Sequence, residues 1–130
     1  PAGLTAGVPA DPTSVEAYYS GLSTTLIEEN FQSSKNIYFG LTRDGEELIG
    51  FDDYLRSVVG GPDLVADTET LIEQIDQTIA ALPTGRLSEN LDNENVTLLR
   101  NQLQDNTANF KSSMSSLLGI SITFNSGDGD

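Results

Sequence analysis

Apolar positions recur at helical steps along most of the chain. Ile27, Phe31, Ser34, Tyr38 and Leu41 follow steps of four and three, with Leu26 and Ile37 on the flanks. This spacing predicts a first long helix from Thr24 to Phe39, with Thr25 and Glu28 at capping-box separation and Gly40 as its stop. Arg43-Asp44-Gly45 reads as a turn. Phe51, Tyr54, Leu55, Val58 and Val59 predict a shorter amphipathic element over Leu48–Val59, closed by Gly60-Gly61-Pro62. Asp52 and Asp53 stand near its start, where acids favour the helix dipole.

The next pattern is the clearest. Leu64, Thr68, Leu71, Ile75, Ile79 and Leu82 form one stripe supported by Ile72, opposite a polar face of Asp67, Glu69, Glu73, Asp76 and Gln77. Pro83-Thr84-Gly85 ends it, and Leu87 and Leu91 mark a loose turn. The last helix starts near Asp92 or Asn93 and carries Val96, Leu99, Leu103, Phe110, Met114 and Leu117, with Asn106-Thr107 breaking the stripe. These two helices rise about 27 and about 32 Å at 1.5 Å per residue, which suits antiparallel neighbours. A polar step in such a seam sets register, holds a water or faces a neighbouring subunit.

The flanks differ. Residues 1–14 are small and rich in Pro and Gly, and read as linker or surface loop, with Asp11-Pro12 able to open a helical turn. After Gly119, Ile120-Ser121-Ile122-Thr123-Phe124 alternates at period two, and Asn125-Ser126-Gly127-Asp128-Gly129-Asp130 follows. The expected fold is all-α: an up-and-down four-helix bundle over 15–130 with a short extended C-terminal tail. The opening Pro1-Ala2-Gly3-Leu4, without an initiator Met, reads as the interior of a longer polypeptide. Together with Asn106-Thr107 it predicts that the chain is incomplete as a folding unit.

Composition narrows the chemistry. Twenty acids against six bases give a net charge of −14 over 130 residues, 37% of them hydrophobic. Nucleic acid is therefore not an expected partner, since its phosphates are met by Lys and Arg, and an anionic membrane surface is disfavoured for the same reason. No run of about 18 apolar residues is present to span a membrane. The chain has no Cys and no His. It cannot build a disulfide, a Ser-His-Asp or Cys-His nucleophile, or a His-containing zinc site by itself.

The remaining candidates are oxygen groups. Asn125, Asp128 and Asp130 are closely spaced oxygen donors, but an EF-hand loop also needs a bidentate acid at its twelfth position, which does not follow here. A calcium-binding tail on an interaction module is thus a weaker alternative. Glu28-Glu29, Glu46-Glu47 and Asp52-Asp53 are adjacent pairs, and adjacent residues on a helix do not face one another. Tyr38, before Phe39-Gly40, is either a hydrogen-bonding group across a cleft or a core-edge aromatic whose hydroxyl reaches water.

Three regions together resemble the C-terminal half of imelysin-like proteins. The first runs from Tyr19-Ser20-Gly21 to Asn36-Ile37-Tyr38-Phe39-Gly40. The second is Gly50-Phe51-Asp52-Asp53-Tyr54-Leu55 with the long helix to Leu82-Pro83. The third is Leu118-Gly119 through Phe124-Asn125 to Asp128-Gly129-Asp130. The resemblance covers roughly residues 15–130. It implies two helical-bundle domains, of which this is the second, with the N-terminal half of the same polypeptide as partner. It also implies a bacterial cell-envelope setting, periplasmic or as an outer-membrane lipoprotein, and a role in iron uptake through binding iron or an iron carrier. The alternative implied is a metallopeptidase whose Gly-x-His-x-x-Glu motif lies in the preceding half. On that resemblance Tyr38, Gly40, Phe124, Asn125, Asp128, Gly129 and Asp130 are motif positions of unassigned role. No catalytic or metal-ligating residue is expected in this chain, and iron or zinc would belong to the complete protein.

Overall fold

A computed structural model describes residues 9 and 11–119, and the account of the fold is confined to them. The helices are α1 (Ser23–Tyr38), α2 (Phe51–Arg56), α3 (Gly61–Ala80), α4 (Glu94–Ala108) and α5 (Ser115–Leu118). Single 3-10 turns lie at Pro12–Ser14 and Leu87–Glu89, and a π-helical segment, Asn109–Met114, joins α4 to α5 in one continuous rod. The all-α expectation holds. The extended tail over 120–124 lies outside the described residues.

Three long helical rods make the bundle. Asn95 Nδ2 donates to the carbonyl of Ala81 at 2.9 Å, so the start of α4 meets the end of α3. At the other end, a Cβ on Gly60 would touch Leu117 at 4.0 Å, so α3 and the α4–α5 rod run antiparallel. Lys35 on α1 pairs with Asp76 on α3, and Ile27 packs near Leu82, so α1 also opposes α3. The main core joins Phe31 and Tyr38 of α1, Leu55 of α2, Val65, Ile72 and Ile75 of α3, Leu99 of α4 and Met114. A smaller cluster of Val15, Leu87, Leu91 and Val96 closes the opposite end. Asp11 caps the first 3-10 turn, its carboxylate accepting from Thr13 N at 3.0 Å, and this turn delivers Val15 to the smaller cluster.

Element starts differ from expectation where another donor wins. α1 begins at Ser23, whose hydroxyl donates to the carbonyl of Glu16. Thr25 is therefore already inside the first turn and does not cap it. α2 is shorter than the Leu48–Val59 pattern. Leu48 N donates to the carbonyl of Gly40 at 2.8 Å, and Leu41 and Glu47 form an antiparallel bridge around the turn at Gly45. That pairing holds the backbone before Gly50 extended, and the helix starts only where Asp53 accepts from Gly50 N at 3.1 Å. Asn93 caps α4 as expected, accepting from Asn95 N at 2.9 Å.

On α3 the buried positions are Gly61, Val65, Thr68, Ile72, Ile75 and Thr78, while Leu64, Leu71 and Ile79 are half-buried. The stripe is rotated because α3 is central, packed by α1 and α2 as well as by the last rod. Asn106-Thr107 does not interrupt the helix. Asn106 and, one turn earlier, Gln102 point into the core, whereas Thr107 is exposed and its hydroxyl donates to the Leu103 carbonyl at 2.8 Å. The irregularity comes later, as the π segment, where Ser115 donates back to the Lys111 carbonyl at 2.6 Å.

Candidate functional site

The first two regions of the resemblance meet in space. Gly40 adopts a left-handed φ of +66°, and a Cβ there would lie 2.5 Å from the Leu48 carbonyl and 2.7 Å from Gly50 N. A Cβ on Gly50 would in turn collide with the Tyr38 carbonyl and lie 2.5 Å from Asp52 Oδ1. Two backbones thus cross with no room for side chains, which is why glycine occupies both positions. The crossing sets Tyr38, at the end of α1, against Asp52, in the first turn of α2.

Tyr38 is fully buried. Its ring packs edge-on against Phe39 at 4.9 Å and Phe110 at 6.0 Å, and Phe110 meets Phe51 at 6.5 Å. Its hydroxyl therefore does not reach solvent as a core-edge aromatic would. Burial pushes the phenol up to about 12, helped by the negative charges of Glu69 and Asp52 and opposed by Arg56 and the neighbouring Thr68 hydroxyl. Thr68 is close enough to affect Tyr38, yet neither hydroxyl makes a hydrogen bond of good geometry. Asp52 Oδ1, Gln102 Oε1 and Asn106 Oδ1 are likewise buried without a protein partner. Arg56 organises the rim: its Nη2 lies 2.5 Å from Glu69 Oε1 and its Nε 3.9 Å from Asp52 Oδ2.

Beside this cluster, a cleft of about 350 Å³ opens between α1 and α3. Phe39, Leu41 and Ile72 form its apolar lining, and Glu69, Glu73 and Asp76 its acidic side. Lys35 crosses it, holding both oxygens of Asp76 at 2.8 and 2.9 Å while lying 5.4 Å from the centre of the Phe31 ring. Lys35 offsets Asp76 and Arg56 offsets Glu69, so Glu73 gives the cleft an excess of one negative charge, which favours cations weakly. Among the described residues, no three Asp or Glu side chains converge closely enough to hold a metal ion.

Of the motif positions, Tyr38 and Gly40 lie at this crossing, while Phe124, Asn125, Asp128, Gly129 and Asp130 lie outside the described residues. Glu28, Glu29, Glu46 and Glu47 are exposed and do not form facing pairs within each doublet. Sequence reasoning passed over Thr68, Arg56 and Glu69 as parts of the site. For Asp52 the sequence marked only an acid near the start of α2; its inward turn depends on the close backbone approach at Gly50.

No helix among the described residues is long and apolar enough to cross a membrane. No curated protein and no solved structure matches the chain. The family model described as Imelysin matches residues 3–114. That span contains both regions that meet at the Gly40–Gly50 crossing, reaches back into the Pro-rich opening segment, and stops before the period-two stretch. With most of its length matched in this way, the chain belongs to the imelysin family.

Proposed function

We propose that this chain is the binding half of an imelysin-like protein of the bacterial cell envelope, taking part in iron uptake by holding iron or an iron carrier together with a preceding bundle of the same polypeptide. The family match and the acidic cleft beside the Gly40–Gly50 crossing support this reading. The carrying observation is the cleft. Its apolar lining and excess of carboxylates suit a chelated or carrier-borne cation better than a bare ion in a cage of ligands. Phe39 and Leu41, which flank Gly40 in the chain, bring the crossing next to the cleft.

The alternative is the C-terminal half of a metallopeptidase. A metal-activated water needs a ligand set and a general base, and a chain without His leaves the histidine to the preceding half. The family's peptidase description keeps this reading in view.

The two readings separate in one pair of assays. Calorimetric titration of the chain joined to its preceding bundle with ferric chelates and haem gives saturable heat on the binding reading. Incubation of the same zinc-loaded protein with unfolded insulin gives cleavage on the peptidase reading. Cleavage without iron or haem binding reverses the order of the two.

A further inference from the structure

Two carboxylates share one guanidinium beside the cleft. Arg56, the last residue of α2, reaches Glu69 on α3, with Nη2 2.5 Å from Oε1. Its Nε stands 3.9 Å from Oδ2 of Asp52, one turn earlier on α2. That second gap exceeds an ordinary N–H···O length by about 1 Å. The two acids differ in their surroundings. Glu69 lines the cleft, and its side chain is 36% exposed. The Asp52 side chain is 14% exposed, and its Oδ1 is buried without a hydrogen-bond partner. That oxygen occupies the room left by the missing side chain of Gly50, 2.5 Å from where a Cβ would lie. Arg56 is half-exposed, so a change of rotamer meets solvent rather than packed core.

We propose that Arg56 is a tethered competitor for the cleft: it holds Glu69 until a cation takes that carboxylate, and then passes to Asp52. This role for Arg56 rests on the cation-binding reading of the cleft and adds how that site selects its ligand. Glu69, Ile72, Glu73 and Asp76 recur at i, i+3, i+4 and i+7, so the three acids and one apolar side chain share a face of α3. In the arrangement observed, Lys35 offsets Asp76 and Arg56 offsets Glu69. A bare ion drawn to Glu73 gains a second carboxylate only by displacing a cation attached to the same chain, which acts at high effective concentration. A cation with an apolar body has a further source of attraction, because Phe39, Leu41 and Ile72 also line the cleft.

The transfer changes both ends of the pair. Once Arg56 leaves Glu69, the cleft's excess rises from one negative charge to two. At Asp52 the guanidinium meets a carboxylate whose buried oxygen lacks a partner, and charge-assisted pairing there offsets the lost Glu69 contact. A modest preference of the ligand for Glu69 then decides where Arg56 sits. Lys35 makes no such exchange, since both of its carboxylate contacts go to Asp76.

Glu69→Gln imitates a Glu69 whose charge has been neutralised, and it needs no ligand. Proton–nitrogen NMR of the arginine side chains in the full chain reads the result, with Arg56→Lys identifying the Arg56 Nε–H signal. In Glu69→Gln this signal should move downfield and exchange more slowly with solvent, and adding Asp52→Asn should abolish both changes. Asp52→Ser, which also removes the charge, repeats the double variant should Asp52→Asn fail to fold. A signal unmoved in Glu69→Gln, or moved to the position of free arginine, overturns the proposal. A titration with benzyltrimethylammonium, an iron-free cation with an apolar body, is followed in the same spectra. Arg56→Met should tighten its binding by up to about fivefold, the factor that an exposed ion pair commands. Asp52→Asn should weaken binding where Arg56 is present and leave it unchanged in Arg56→Met. Equal weakening in both backgrounds, or no binding of this probe, overturns the proposal. Binding of the probe with this pattern, but of no ferric chelate or haem, would overturn the iron reading and leave the role of Arg56 standing.

Discussion

At the scale of residues, the hydroxyl of Tyr38 is the most informative group. Its phenol is pushed up to about 12, chiefly by burial, from an ordinary value of 10.0. The folded state therefore holds this proton more tightly than the unfolded chain does. The resulting stability is complete below pH 10 and is lost as pH rises through about 12. A spectrophotometric titration should show a tyrosine component ionising near pH 12, and Tyr38→Phe should remove it. The glycines give a second test. Gly61→Ala puts a Cβ into the Leu55 carbonyl and should cost at least about 2 kcal/mol, whereas Gly45→Ala meets no neighbour and should cost only the left-handed backbone term of about 1 kcal/mol. Chemical denaturation of the two variants measures the difference. The Asn93 cap and the stop at Gly40 were legible in sequence because they depend on local backbone geometry. The inward turn of Asp52 was not, because it depends on a crossing between segments that only the folded chain brings together.

Elements were legible to the extent that one face decides them. The first, third and last helices appear where periodicity places them. α2 is short because Leu48 pairs with Gly40, a contact that helical spacing does not encode. The polar step at Asn106 was visible, but its consequence was not. The helix runs through it, and the buried Oδ1 of Asn106 has no hydrogen-bond partner. Replacing an unpaired buried acceptor with an apolar group of similar size removes a desolvation cost. Asn106→Leu should therefore leave stability unchanged or raise it, as thermal unfolding would show. Asn93→Ala should lower it by about 1 kcal/mol through loss of the α4 cap. The π segment gives a sharper element-scale test. Deleting Ser112 would remove the extra residue that an i→i+5 turn absorbs, restoring plain α-helical bonding while Leu117 and Leu118 keep their facing toward the core. Both pack against the main cluster. The deletion should thus leave the stability of the bundle unchanged or raise it, as thermal unfolding would show.

Across the whole molecule, charge and packing divide the work. The two apolar clusters and the Gly40–Gly50 crossing hold the bundle, and the carboxylates lie around the cleft and over the outer surface. The acidic excess was plain from composition. The cleft was not, since it arises from the approach of α1 to α3 and from Lys35 reaching across to Asp76. Loss of that bridge tests the cleft's charge. Lys35→Met should make the cleft more negative and, on the proposed reading, strengthen its attraction for cationic species while costing about 1 kcal/mol or less in stability. The central claim is that this imelysin-family chain binds an iron species through the cleft. Isothermal calorimetry of the chain joined to its preceding bundle, titrated with ferric chelates and haem, tests it most directly when repeated on Glu73→Gln. The account predicts saturable heat that weakens severalfold in the variant. No heat with any iron species, or binding indifferent to Glu73, would contradict it.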